Sequence, residues 1–230
     1  MAQRYIYVPA EREIGVKEIA LDFEWHSGFS AVQKRKSIKS LHDSANKAGY
    51  APILEISSKS ELAAGVEASA FSLTFRTKAS GKCVSVESAF QGSKVFAFSG
   101  PFPELYDMPA REAKKEIRLR QRGELKSFCF FGREFPLRPR TFFYDWLYIN
   151  TLHKNEELSS QLCGFAGFSD IEFNPEKSVN CQAFSAALYV SLVQAGHIDQ
   201  ALASEEEFLN MLTRFYERRE RNNPLQRTLI

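Results

Sequence analysis

Alternating stretches open the chain and helical spacings close it. Tyr5-Ile6-Tyr7-Val8 and Val16 to Phe23 alternate apolar with other residues, which predicts two short strands around a turn containing Gly15. Trp25, His26 and Phe29 lead into a polar loop, and from Ala31 to Ala48 the apolar positions Val32, Ile38, Leu41 and Ala45 follow helical spacing. Ala51 to Ile56 and Ala70 to Phe75 read as further strands, with Ala79-Ser80-Gly81 turning the chain into Cys83-Val84. Ser85 then caps a predicted helix whose polar stripe carries Glu87, Gln91 and Lys94 at i, i+4 and i+7. Ser99-Gly100-Pro101-Phe102-Pro103 is a loop, after which Asp107 and Pro109 start a helix that runs to about Gln121, before Gly123.

The second half repeats the alternation. Ser127 to Gly132 has strand character, and Thr141 caps a helix to about His153 in which Phe142, Trp146 and Ile149 share a core-facing spacing. Glu156 to Cys163 is a short helix, and Asp170 to Asn174 alternates as an extended segment with Asp170, Glu172 and Asn174 on one side. Asn180 opens an apolar helix to about Val193, and Ser204 with Glu207 forms a capping box for a last helix to about Arg221. With no repeat, low-complexity run or linker in 230 residues, the expectation is one α+β domain, mainly helical with a few short strands. Residues 1–30 hold its N-terminal strands, and 197–230 form a helical extension.

Composition narrows the class without naming it. Hydrophobic residues at 44% and charged residues at 25% are ordinary globular values, and no apolar run approaches the roughly 20 residues that cross a bilayer. The start, Met1-Ala2-Gln3-Arg4-Tyr5, lacks the apolar region of a secretory signal, so a cytoplasmic protein with no membrane partner is expected. Cys83, Cys129, Cys163 and Cys181 are widely spaced, without a paired-cysteine motif or histidines at ligand spacing, and read as free thiols; no metal site is expected. No glycine fingerprint or phosphate-loop motif calls for a bound cofactor, so none is expected.

Charge distribution says more than the net value of +2. Lys34, Arg35 and Lys36 crowd the first half of the helix from Ala31, where cations oppose the helix dipole unless an anion compensates. The densest basic stretch is Arg111, Lys114, Lys115, Arg118, Arg120 and Arg122 against Glu112 and Glu116. Either set could contact a phosphate backbone without reading sequence, or be a solvated face that binds nothing. Ser57-Ser58-Lys59-Ser60, placing hydroxyls, backbone donors and one lysine after a strand, forms either a diphosphate cradle or a plain loop.

The Glu87–Gln91–Lys94 stripe is the strongest candidate for chemistry. Val86, Phe90 and Phe96 can anchor the other faces of its helix, and apolar sequence on both sides favours a cleft over an open surface. A carboxylate and an amine in a cleft are candidate acid, base or nucleophile; on an exposed helix they are merely solvated. His153 reads as a helix end and not as a base.

Glu87 to Lys94 resembles the Glu-x-x-x-Gln-x-x-Lys core of the NADAR family, whose members cleave N-glycosidic bonds of ADP-ribose-like or phosphoribosyl substrates. Ser88 stands where the commoner motif has His, and Ala89 where it often has an aromatic residue. Ile56 to Ser60, Phe142-Phe143-Tyr144-Asp145-Trp146 and Asp170 to Pro175 extend the resemblance over about Trp25 to Leu192. The chain is most similar to the NADAR branch found beside DarT-type toxins, which attach ADP-ribose to guanine in DNA. That resemblance implies a mainly helical α+β domain with Glu87 and Lys94 catalytic. It places Ser57, Ser58, Lys59, Gln91, Asp145, Trp146, Asp170 and Asn180 on the substrate, the last two at the ends of a family Asp…Trp-Gly…Asn pattern whose Trp-Gly pair is missing here. Lys34, Arg35, Lys36, Lys114, Lys115 and Arg118 would face DNA.

The expected function is an antitoxin hydrolase that removes ADP-ribose from guanine in DNA, with a DarT-type toxin as functional partner. Two alternatives stand beside it: an N-glycosidase acting on a small phosphoribosyl nucleotide of the riboflavin pathway, and a non-catalytic module that binds ADP-ribosylated DNA or the toxin.

Overall fold

The computed structural model describes residues 1–28, 30–78, 80–120, 123–174 and 178–222. Phe29, Ala79, Gln121, Arg122, Pro175 and the end of the C-terminal extension lie outside them.

A β-hairpin begins the fold. Strands β1 (Ala2–Pro9) and β2 (Val16–Phe23) pair antiparallel from Ala2↔Phe23 to Pro9↔Val16, turning at Gly15 as expected. Helix α1 (Ala31–Lys47) follows, capped by Ser30, whose side chain accepts from Gln33 N. Next come β3 (Ile53–Glu55), α2 (Ala63–Glu67), the short pair β4 (Thr74–Arg76) and β5 (Cys83–Ser85), and α3 (Val86–Gly92). After β6 (Lys94–Phe96), a 3-10 turn over Pro103–Asp107 leads to α4 (Ala110–Lys115) and a second 3-10 turn over Ile117–Arg120. Strands β7 (Leu125–Phe130) and β8 (Arg133–Phe135) then make a hairpin. The chain continues through α5 (Phe142–His153), α6 (Glu156–Leu162), β9 (Gly167–Ser169), α7 (Gln182–Gln194), α8 (Ile198–Ala201) and α9 (Glu205–Asn222).

The central sheet has the order β2-β1-β9-β3, with β3 and β9 parallel. Side chains alternate across it. Ile6, Val8 and Ile53 turn toward Ile38, Leu41 and Ala45 of α1, whereas Tyr7, Leu54 and Phe168 turn into the larger core with α5 and α7. The last helix is part of that core through Phe208, Leu212 and Tyr216, and it is tied to the first hairpin by Arg218–Glu13 and Arg219–Glu18 at 2.9 and 2.7 Å. This is an α+β fold.

Several elements depart from the expected boundaries. The basic helix closes after Lys115, where Glu116 leaves helical geometry and receives the backbone and side chain of Arg118. The expected strand from Ala70 shrinks to Thr74–Arg76, because Ser69 and Ala70 spend their backbone groups on turns and on α3. Residues 170–174 turn instead of extending, since the Asp170 carboxylate accepts from the backbone N–H groups of Glu172 and Phe173, both at 3.1 Å. The apolar helix begins at Gln182, two residues beyond Asn180, and no side chain caps it.

Candidate active site

Every residue of α3 is buried. Ser85 accepts from Ser88 N at 3.1 Å and fixes the helix start. Val86, Ala89 and Phe90 enter the core, with the Phe90 ring among Phe128, Phe143 and Tyr144. The helix ends at Gly92, whose carbonyl accepts from Phe102 N at 2.7 Å; a Cβ at this position would lie 2.5 Å from the Tyr106 ring and 2.8 Å from Phe102 O, so only glycine fits. Lys94 is therefore not on the helix with Glu87 and Gln91, as the i+7 spacing predicts; it is the first residue of β6.

The three side chains nevertheless meet. Lys94 Nζ donates to Gln91 Oε1 at 2.7 Å, and Gln91 Nε2 donates to Glu87 Oε1 at 2.8 Å. The amide is a spacer: it bonds both groups, so the amine is held in line with the carboxylate without being locked into an ion pair with it. A second lysine, Lys114 from α4, brings its Nζ to 3.8 Å from Glu87 Oε1. Burial pushes the Lys94 amine down to about 8; Glu87 opposes that shift and Lys114 assists it. A lysine in this condition is a nucleophile at neutral pH to a degree that an ordinary surface lysine is not.

These groups stand in a cleft of about 1100 Å³. Ser58 and Lys59 enter from the loop after β3, Arg111 and Lys114 from α4, and Tyr144 from α5. The segment between β9 and α7 contributes Asp170, Glu172, Phe173, Asn174 and Asn180. Asn180 Oδ1 is buried without a hydrogen-bond partner among the described residues, leaving an acceptor for a ligand N–H or hydroxyl.

The Asp170 wall is rigidly supported from below. Gln182 Nε2 donates to Asp170 Oδ2 (3.1 Å) and Ile56 O (3.0 Å), while its Oε1 accepts from Ala70 N (2.7 Å). Beneath it the buried Glu55 accepts from Ile171 N at 2.9 Å and from Ser169 Oγ at 2.5 Å, and His42 Nε2 bonds Ser169 Oγ at 2.8 Å. Burial lowers His42 to about 4, so the imidazole is neutral, and its Nε2–H donates to a Ser169 hydroxyl already committed to Glu55. Burial also raises both Glu55 and Asp170, and for Asp170 the neighbouring Glu55 charge adds to the effect.

Not every sequence candidate reaches the cleft. Asp145 is buried beneath it, accepting from Ser185 Oγ (2.6 Å) and Tyr216 Oη (3.0 Å), and Trp146 packs on Phe130 and Phe135. Tyr144, one residue earlier and about 100° around α5, takes the cleft-facing place; burial and then the Glu87 charge keep its phenol protonated. Ser57 is buried and accepts from Lys59 N, supporting the loop from inside. Lys34, Arg35 and Lys36 are not in the cleft lining, and Lys34 lies 4.6 Å from the Trp25 ring centroid. Arg118 bonds Glu104 and Glu116, and Lys115 is exposed outside the lining, so of the expected DNA contacts only Lys114 is in it. Ser88, at the position where His is commoner, donates to Met108 O at 2.8 Å and faces the scaffold.

Among the cleft residues that the sequence did not mark for the site are Tyr144 and Phe173, and Arg111, named in the basic stretch, was not among the expected DNA contacts. Arg111 could have been found from its position three residues before Lys114, on the same helix face; Tyr144 and Phe173 carry no local signal that separates them from core aromatics.

An acid–amide–amine line at the floor of a polar and aromatic cleft is the equipment of an acid–base or nucleophilic catalyst. The model for the DarT1-associated NADAR antitoxin family matches residues 2–222, and the chain belongs to that family. The match takes in the first hairpin and α9, a wider span than the motifs from Trp25 to Leu192 mark out. No curated protein matches the chain. Among the described residues no helix is long and apolar enough to cross a membrane.

Proposed function

We propose that this antitoxin is an N-glycosyl hydrolase that removes ADP-ribose from guanine bases in DNA and so reverses the product of a DarT-type toxin. The observation that carries the reading is the Glu87–Gln91–Lys94 line with its Lys94 amine brought down to about 8 at the cleft floor. The Lys94 lone pair forms a bond to the anomeric carbon as the glycosidic bond breaks, and the departing electron pair goes to the guanine nitrogen. The proton shed by the lysine nitrogen passes to the Glu87 carboxylate, and Glu87 returns a proton to the leaving base. Opening of the ribose leaves an imine on Lys94; water adds to its carbon, the carbon–nitrogen bond breaks, and ADP-ribose leaves with Lys94 restored. The sum is one water consumed and one glycosidic bond hydrolysed.

The remaining lining suits the rest of that substrate. Ser58, Lys59, Arg111 and Lys114 offer donors and positive charge to a diphosphate, the aromatic side chains offer faces to bases, and Asp170 and Asn180 offer acceptors to ribose or base edges. Lys115, on the same short helix as Lys114, can take a phosphate outside the cleft.

The test incubates a small amount of protein with a guanine-ADP-ribosylated oligonucleotide and follows free ADP-ribose, beside Glu87→Gln. Many turnovers by the wild type and at least a hundredfold fewer by the variant are expected, a magnitude typical of losing a general acid–base group. Tight retention of the oligonucleotide without release would make the protein a reader of the modification. Release only from small phosphoribosyl compounds would make it an N-glycosidase of nucleotides.

A further inference from the structure

Phe98 is 84% exposed at the tip of a hydrogen-bonded turn. Phe96 N donates to Ser99 O at 2.7 Å and Ser99 N to Phe96 O at 3.4 Å, closing a turn with Ala97 and Phe98 at its tip. Ala97 N donates to Glu124 O at 2.9 Å, which ties the tip to the segment entering β7. On the exit side Gly100 has φ +102°, and a Cβ there would lie 2.3 Å from Lys94 O, so the turn folds flat onto the backbone of Lys94 itself. The turn that presents Phe98 is thus fastened to the strand that carries the amine.

The ring adjoins the cleft lining. Its edge is seated against Gly123, where a Cβ would lie 3.2 Å from the ring, and Gly123, Phe96 and Glu124 all line the cleft. Arg111 and Lys114, both exposed cations of the lining, mark the cleft as one that admits an anion. One fixed aromatic face beside such an opening matches a nucleobase, which needs a single ring to stack on, better than a protein partner, which needs a broad patch. We propose that Phe98 is a stacking platform for an unpaired base next to the modified guanine, so that the strand is gripped outside the cleft while the ADP-ribosyl guanine occupies it. This rests on the DNA reading given above. It makes Phe98 a specificity residue for polynucleotide over mononucleoside substrates.

The experiment compares wild type, Phe98→Ala and Phe98→Trp on two substrates: a single-stranded ADP-ribosylated oligonucleotide and ADP-ribosylated deoxyguanosine. Stacking one base contributes enough that Phe98→Ala is expected to lower kcat/KM on the oligonucleotide about 5- to 150-fold. The nucleoside rate is expected to stay unchanged, and Phe98→Trp to retain oligonucleotide activity. Equal activity of Phe98→Ala and wild type on the oligonucleotide overturns the inference and leaves the hydrolase reading standing. Equal losses on both substrates also overturn it, because the ring then shapes the cleft and not the strand. Unchanged DNA turnover with loss of binding to the purified toxin assigns the ring to a protein contact. No release by the wild type from either substrate brings down the hydrolase reading and the inference with it.

Discussion

The depressed Lys94 amine sets how the reaction must depend on pH. Its displacement from the ordinary 10.5 to about 8 corresponds to about 3 kcal/mol of differential interaction between its two forms. Single-site titration then makes the neutral amine about 1% of the total at pH 6, about half at pH 8 and about 90% at pH 9; an ordinary lysine would reach about 0.3% at pH 8. If Lys94 attacks as the neutral amine, the single-turnover rate of ADP-ribose release should rise about 50-fold from pH 6 to pH 8 and level off by pH 9. Glu87 raises the Lys94 value and Gln91 relays the contact, so Glu87→Gln should move the midpoint below 8 even as it lowers the plateau rate. The assay is quench-flow release from a modified oligonucleotide with enzyme in excess, across pH 6 to 9.5, for both proteins. A wild-type rate that keeps climbing tenfold per pH unit beyond pH 9, or one that is flat from pH 6, would refute the reasoning.

Other consequences can be tested alongside. Lys114→Met removes the cation that helps hold the Lys94 amine down and sits 3.8 Å from Glu87; the midpoint of the same pH profile should move upward and the rate at pH 7 should fall severalfold. Burial raises Asp145 to about 6 in the folded protein, so the folded state binds more protons than the unfolded one between about pH 4 and pH 6. Stability contributed by this group therefore falls as pH rises through that window, by about 3 kcal/mol. Asp145→Asn should make the fall between pH 4.5 and pH 7 in urea unfolding smaller by this group's share, leaving that of the likewise raised Asp170 and Glu55, without loss of hydrolysis. Gly92→Ala drives a methyl group to 2.5 Å from the Tyr106 ring and should destabilise the fold by about 1–3 kcal/mol in the same unfolding assay.

What the sequence made legible, and what it hid, divides along local and non-local interactions. Ser85 and Ser204 announce their helices because a cap is a contact between residues three apart. The hairpin at Gly15 is likewise local. The identity of the reactive pair was readable from residue type and from the motif, yet the element carrying Lys94 was not. The helix ends two residues short of it, where the Gly92 carbonyl accepts from Phe102 N, ten residues on, a contact that local spacing does not announce. The motif around residues 142–146 likewise gave an address without an orientation: α5 is apolar around most of its circumference, so nothing in its own spacing shows that Tyr144, and neither Asp145 nor Trp146, turns to the cleft. Lysines and arginines gave the same difficulty in reverse. Arg118 looks like a phosphate contact until Glu104, fourteen residues away, is seen to hold it.

The central claim is that the ADP-ribosyl group passes through a covalent bond to Lys94. Its most direct test is to quench the reaction on ADP-ribosylated DNA with borohydride, which reduces an imine to a stable amine, and to map the modified peptide by mass. The account requires the reduced ADP-ribosyl adduct on Lys94 in the wild type and its absence in Lys94→Ala and in controls without borohydride. Full turnover by Lys94→Ala, or a wild type that hydrolyses the substrate yet traps no adduct on Lys94, would contradict it.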